Sequence, residues 1–166
     1  MNARSWSWQL MVLLAVLCPA LQTRASEAPQ WLPITAQWCL ADDHCIGLEV
    51  AATARQQAIG LQRRPPLPPL RGMWFPFPER TQARFWMHHT PSALDMVFVS
   101  HGRVVAIEAA TQPCPRLPCR SYGPPEAVDG VIELAAGQAA IQGIAIGTVV
   151  QLDPLEAQPS GAQATP

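Results

Sequence analysis

The sequence predicts a mainly β domain of the α+β class, a compact β-sandwich or distorted barrel carrying one short capped helix. Three observations predict it. Eighteen of the 166 residues are proline, roughly twice the usual share of about 5%, and a residue that lacks an N–H and fixes φ leaves little room for long helices. Apolar and polar residues alternate in short runs bounded by proline and glycine, the period of two that a half-buried strand requires. The stretch Thr53-Ala-Arg-Gln56 carries a reciprocal helix-capping pattern. A chain of this length fills one core without a second domain.

The first 25 residues read as an export leader. Arg4 supplies a positive start, Leu10 to Ala20 is an unbroken apolar run, and Thr23-Arg24-Ala25 resembles a small-x-small cleavage site. The apolar run is shorter than the ~20 residues that span a bilayer, so cleavage after Ala25 is the expectation, with a domain over residues 26–152 and no membrane association after the leader is removed. The expected compartment is the periplasm or the exterior.

The elements then follow in order. Trp31 to Trp38 reads as an edge strand with a proline, and His44 to Val50 as a strand with Ile46, Leu48 and Val50 on one face. Thr53 opens a helix from Ala54 to about Arg63, with Ala54, Ala58 and Leu61 as its buried stripe. It ends where RRPPLPPLRG forbids continuation. Gly72 to Phe77 is a short aromatic strand, and after a turn at PERTQ the run Ala83 to His89 is extended. Leu94 to Val99 and Val104 to Ile107 form a hairpin whose His101-Gly102 centre suits a tight turn. Ala127 to Leu134 is a strand, Gly137 to Gln142 a helical turn stopped by Gly143, and Ile144 to Leu152 the last strand. Asp153 to Pro166 is small and polar, and is expected to be a disordered tail.

Composition excludes several function classes. All eleven basic residues are arginine, so Schiff-base or lysine-nucleophile chemistry has no residue to carry it. The arginines are scattered and the formal net charge is −1, which gives no basic stripe for nucleic acid. Export would leave four cysteines, Cys39, Cys45, Cys114 and Cys119, an even number in a compartment where disulfides persist. Three pairings are open. The cluster Asp42, Asp43, His44 and Cys45 has metal-ligand residue types, but neither cysteine pair has the C-x2-C spacing of a structural zinc site, so disulfides rather than a metal or cofactor are expected.

The chemistry-bearing residues gather in FWMHHTPSALDMVFV, residues 85–99. A short loop places His89 and Asp95 near the same end of neighbouring strands, where they could act as an acid/base or ligand couple. Alternatively Asp95 accepts backbone N–H groups at the turn and so satisfies buried donors, and of the two we favour this second role. Strand parity puts Asp95, Val97 and Val99 on one face and Leu94, Met96 and Phe98 on the other. Trp74, Trp86 and the phenylalanines around them form either an aromatic core or a stacking platform, and Arg84 beside them either holds an anionic ligand or stacks on a ring. Arg84, Trp86, His89 and Asp95 are therefore the candidate ligand-binding residues.

The order of motifs resembles a known family. A strand and capped helix lead to Gly60, Leu61, Arg63 and Arg64. Then come Gly72-Met73-x-Phe75, Phe85-Trp86-Met87-x-x-Thr90, Leu94-Asp95-x-x-Phe98, a hairpin, a P-C-P…P-C loop and an E-L-x-A-G segment. Over residues 45–152 this is similar to the domain of unknown function 192. The resemblance implies a compact, mainly β domain, often exported, with no established activity. It also implies that the Cys114/Cys119 pair is a recurring variant and that Asp95 occupies a family position. The family usually has Lys-Asn where this chain has His88-His89. The expected role is a non-catalytic periplasmic module, binding a small ligand or accessory to another protein. The rival expectations are a small hydrolytic or metal-assisted enzyme using His89 and Asp95, and a structural or interaction domain.

Overall fold

The computed structural model describes residues 28–41 and 44–155. The expected leader, Asp42, Asp43 and the expected tail from residue 156 onward lie outside the described residues. In chain order the elements are β1 (Ile34–Ala41), β2 (His44–Val50), α1 (Ala54–Ile59), β3 (Arg71–Thr81), β4 (Phe85–Trp86), β5 (Leu94–Ser100), β6 (Arg103–Thr111), β7 (Ser121–Tyr122), β8 (Val128–Ala135), α2 (Gln138–Ile141) and β9 (Leu152–Pro154). Seven strands form one mixed sheet in the order β6-β5-β8-β3-β2-β1-β9, and β4 pairs with β7 as a separate ribbon. The expected β-rich α+β class is what the structure has. Its form is one large sheet rather than a closed barrel.

Only β2 and β3 run parallel; the other pairs of the sheet are antiparallel. A parallel pair needs a crossover, and α1 with the proline loop behind it supplies one. The capping box forms as the sequence predicts: the Thr53 hydroxyl accepts from the Gln56 N–H and the Gln56 side chain accepts from the Thr53 N–H. The helix is shorter than expected. It stops at Gly60, whose φ of +48° an L side chain rarely adopts and whose N–H donates to Gln56 O. Of the expected stripe Leu61 is buried but Ala54 and Ala58 are exposed, and Ile59 is buried in their place. One turn and a half is too short for a helical stripe to decide which side packs.

Alternation along the central strands separates two apolar clusters, one on each face of the sheet. Met73, Phe75, Met96, Phe98 and Val131 lie on one side; Trp38, Ile46, Leu48, Val97, Val99, Ile132 and Leu134 lie on the other. Burial of such side chains stabilises by about 1.5–3 kcal/mol each. The hairpin between β5 and β6 turns through His101 and Gly102, with φ of +50° and +66°. Two successive left-handed residues are what a two-residue turn matched to strand twist requires.

Three expectations need correction. β1 is not an edge strand, because β9 pairs with it on the outer side. The last strand is Leu152–Pro154, so Asp153 and Pro154 are paired residues where the tail was expected. Residues 147–150 before it form a strap: the Val104 N–H donates to Thr148 O, Val150 N–H to Gly102 O, and the Trp38 indole N–H to Val149 O at 3.1 Å. The strap crosses from β6 to β1 and draws the two ends of the sheet together. Finally, the run 83–89 is extended only at Phe85 and Trp86. His89 has φ of +58° and Met87 O accepts from both Thr90 and Cys114 N–H, so the chain turns into a loop.

Candidate functional site

Glu133 stands on β8 between Met73 of β3 and Met96 of β5. Parity turns its side chain to the face that carries Val131 and Phe75. A cavity of about 350 Å³ opens there, walled by Phe75, Phe77 and Phe85 and bordered by the end of α1, with Glu133 among its lining residues. Glu133 is 5% exposed, its carboxyl has no hydrogen-bond partner among the described residues, and it is one of the residues lining the cavity. The acid therefore faces the cavity. Loss of solvent pushes it up from 4.5 to about 8. At neutral pH the resting side chain is mostly the uncharged acid.

The aromatic wall is built from the same strands. Phe85 meets Phe75 edge-to-face with ring centroids 5.1 Å apart, and it meets Phe98 at 6.4 Å in the same manner. Gly60 belongs to this wall: the Phe75 ring lies 3.4 Å from where a Cβ would stand. A Cβ there would make ordinary contact with the ring, and it is the φ of +48° that disfavours a side chain.

Of the four residues expected to bind ligand, two line this cavity. Trp86 is half exposed, and the Arg84 Nη1 donates to the carbonyls of Ala83, Gly123 and Pro124 at 3.2, 3.0 and 2.9 Å. Arg84 thus ties the β3–β4 connection to the loop after β7. His89 lies instead in a second, shallower concavity of about 290 Å³ with Arg63, Thr90 and the prolines flanking Cys114. Its ring stacks on His88 at 3.7 Å, and desolvation followed by the nearby His88 and Arg63 lowers its pKa from 6.5. Thr90 lines both hollows.

Asp95 lines neither. Its Oδ1 accepts from Ala110 N–H at 2.8 Å and its Oδ2 from Ala139 N–H at 2.9 Å. Both oxygens are engaged with backbone donors, on the sheet face opposite Glu133, so the structure does not form a His89–Asp95 couple. Asp95 accepts backbone N–H groups, but from β6 and α2, far along the chain, rather than from the turn where they were expected.

The cysteines pair locally, Cys39 with Cys45 and Cys114 with Cys119. His44, from the ADDHC cluster, is exposed, and among the described residues no three His, Cys, Asp or Glu side chains converge as metal ligands.

Sequence reasoning treated Glu133 as one residue of a strand and missed it as a site. A signal was present: in GVIEL a carboxylate stands between Ile132 and Leu134 inside an apolar strand. Alternation alone would have set it on the same face as Val131 and Ala135. What could not be read was that this face is also covered.

Comparison with known proteins bears on identity. The family profile DUF192, described as Uncharacterized ACR, matches residues 37–152. A crystal structure of a protein of unknown function from Novosphingobium aromaticivorans DSM 12444 is similar with 29% identity and a TM-score of 0.63, covering 76% of this chain and 94% of its own. A Sinorhizobium meliloti 1021 protein described as a candidate transcription regulator is similar with 26% identity and a TM-score of 0.62, covering 75% and 97%. No curated protein matches. The family match begins eight residues before the resemblance seen in the sequence and takes in part of β1 as well as the central strands, and on that extent the chain belongs to the DUF192 family.

Proposed function

We propose that this domain is a non-catalytic binding module of an exported compartment, and that the aromatic cavity over β3 and β8 is its ligand seat. One observation carries the reading: an unpartnered, almost fully buried carboxyl opens into a hollow walled by phenylalanine rings. Leaving a polar group buried without a partner costs about 1–3 kcal/mol, a cost that a ligand hydrogen-bonded to Glu133 relieves. An apolar wall with one oriented polar group is the usual composition of a small-molecule site. Two disulfides suit an oxidising compartment, and no described helix is long and apolar enough to cross a membrane.

The enzyme reading built on His89 and Asp95 lacks comparable support, since Asp95 is fully engaged by Ala110 and Ala139. A purely structural role leaves the cost of Glu133 unexplained. The description of the Sinorhizobium relative does not extend to this chain in our reading, because Arg64 and Arg84 are committed to internal partners.

The test is a thermal-shift screen of the mature protein with small ring-bearing ligands, beside Phe75→Leu. A ligand that binds only the folded state at a hundred times its Kd stabilises by about 2.7 kcal/mol. Ring ligands should raise the wild-type midpoint and do so less in the variant. A panel that leaves the wild-type midpoint unmoved would sink the reading.

A further inference from the structure

Besides Glu133, the polar residues of the cavity have a bias in what they offer a ligand. The Gln57 Nε2 donates to Ala51 O at 3.1 Å and to Pro76 O at 2.8 Å. The Gln62 Nε2 donates to Ala58 O, the Gln82 Nε2 to Pro125 O and the Thr81 hydroxyl to Glu79 O. Gln57 thus has both N–H groups engaged by backbone, Gln62 and Gln82 have one each engaged and keep a second, and all three amides keep a carbonyl oxygen as an acceptor. Arg84 is the only other ionisable residue in the lining, and its Nη1 is already shared among three carbonyls. The rest of the lining is the aromatic rings, whose faces carry negative potential, together with Thr90, Ala83 and the apolar residues at the end of α1. Acceptors, π faces and an acid together complement a hydrogen-bond donor that bears positive charge.

Resting on the ligand-seat reading, we infer that the natural ligand is an organic ammonium, an amine nitrogen on a small apolar body, paired with Glu133 against the phenylalanine wall. An isolated carboxylate in so apolar a place is costly, so the empty cavity holds the neutral acid. Entry of the cation reverses the balance: the Glu133 O–H bond breaks, the proton passes to solvent, and an ammonium–carboxylate pair forms. Binding is therefore linked to proton release. The groups packed around Glu133 do not compete for that role, since Met73 and Met96 flank it on the neighbouring strands.

The experiment is isothermal titration calorimetry of the mature, disulfide-bonded protein with benzylamine and with benzyl alcohol, its neutral near-isostere. Each is run at pH 6, 7 and 8, and in two buffers of different ionisation enthalpy. Wild-type protein should bind benzylamine more tightly than benzyl alcohol and release close to one proton per amine at pH 7. Affinity for the amine should rise on the order of tens of fold from pH 6 to 8, as the binding-competent ionised fraction grows. Glu133→Gln should lose both the proton release and the preference. Because the wild-type comparison between buffers needs no variant, the outcome does not depend on how that variant folds. Equal binding of alcohol and amine without proton release would overturn the cation assignment and leave the ligand seat standing. Binding of neither, together with an unresponsive ring-ligand panel, would overturn both.

Discussion

An acid held near a pKa of 8 makes the whole fold pH-sensitive through one side chain. Glu133 is raised from 4.5 to about 8 by burial, so between those values the folded chain holds a proton that the unfolded chain has lost. The stability this provides is fully present below the unfolded value and declines as pH rises through the folded one. The slope for one group is about 1.4 kcal/mol per pH unit. Urea midpoints of the wild type should fall from pH 5 to 8 and level off above. In Glu133→Gln, uncharged throughout, that fall should vanish; a wild-type profile as flat as the variant's would show that the carboxyl ionises freely in the cavity. Asp95 makes the opposite case, a carboxylate whose two oxygens each accept a backbone N–H. Asp95→Asn retains one oxygen and turns an NH₂ toward the second donor, so it should cost about 1–3 kcal/mol. Loss of less than about 0.5 kcal/mol in urea unfolding would argue that water satisfies one of these donors.

Side chains add to the backbone bonds that hold the loops of this protein. The connection from α1 to β3 is pinned by Arg64, whose Nη1 and Nη2 donate to Glu49 Oε2 and Oε1, each at 2.7 Å. The Leu32 N–H adds a third bond to that carboxylate, and the Trp31 ring lies 4.1 Å from the guanidinium carbon. One pair thus joins β2, the crossover and the segment before β1. Because both members are buried, removing one strands the other: Arg64→Ala should destabilise by about 3–5 kcal/mol at neutral pH. Arg64→Lys should restore little, since an ammonium cannot match the two-pronged geometry. Equal stability of the lysine variant and the wild type in urea would mean that charge alone holds the crossover. Sequence inspection found Arg63 and Arg64 as a pair but could not rank them, because their difference lies in what each meets across the fold.

Stability of the whole molecule combines a two-sided core with two short covalent loops. Cys39 and Cys45 join β1 to β2 across their turn, and Cys114 with Cys119 closes the loop beside Met87 and His88. Loops of five or six residues constrain the unfolded chain modestly, about 2 kcal/mol each. The native protein should have a mass four hydrogens below that of its reduced form, and Cys39→Ser/Cys45→Ser should lower the urea midpoint accordingly. Free thiols beyond that of Cys18 in the native protein would contradict at least one of the pairings. Much of this architecture was legible from the chain alone, wherever the determining information is local. Period-two alternation located β2, β5 and β8 to within a residue or two, a four-residue pattern placed the capping box, and His-Gly marked the hairpin turn. Those features depend on backbone sterics and on neighbours within one turn or one strand pair. The parallel joining of β2 and β3, the strap that makes β9 the outer strand, the bond from Ala139 to Asp95 and the covering that buries Glu133 were decided only by tertiary structure. Each depends on groups far apart in the chain that meet because the apolar faces of the sheet must both be sealed from water.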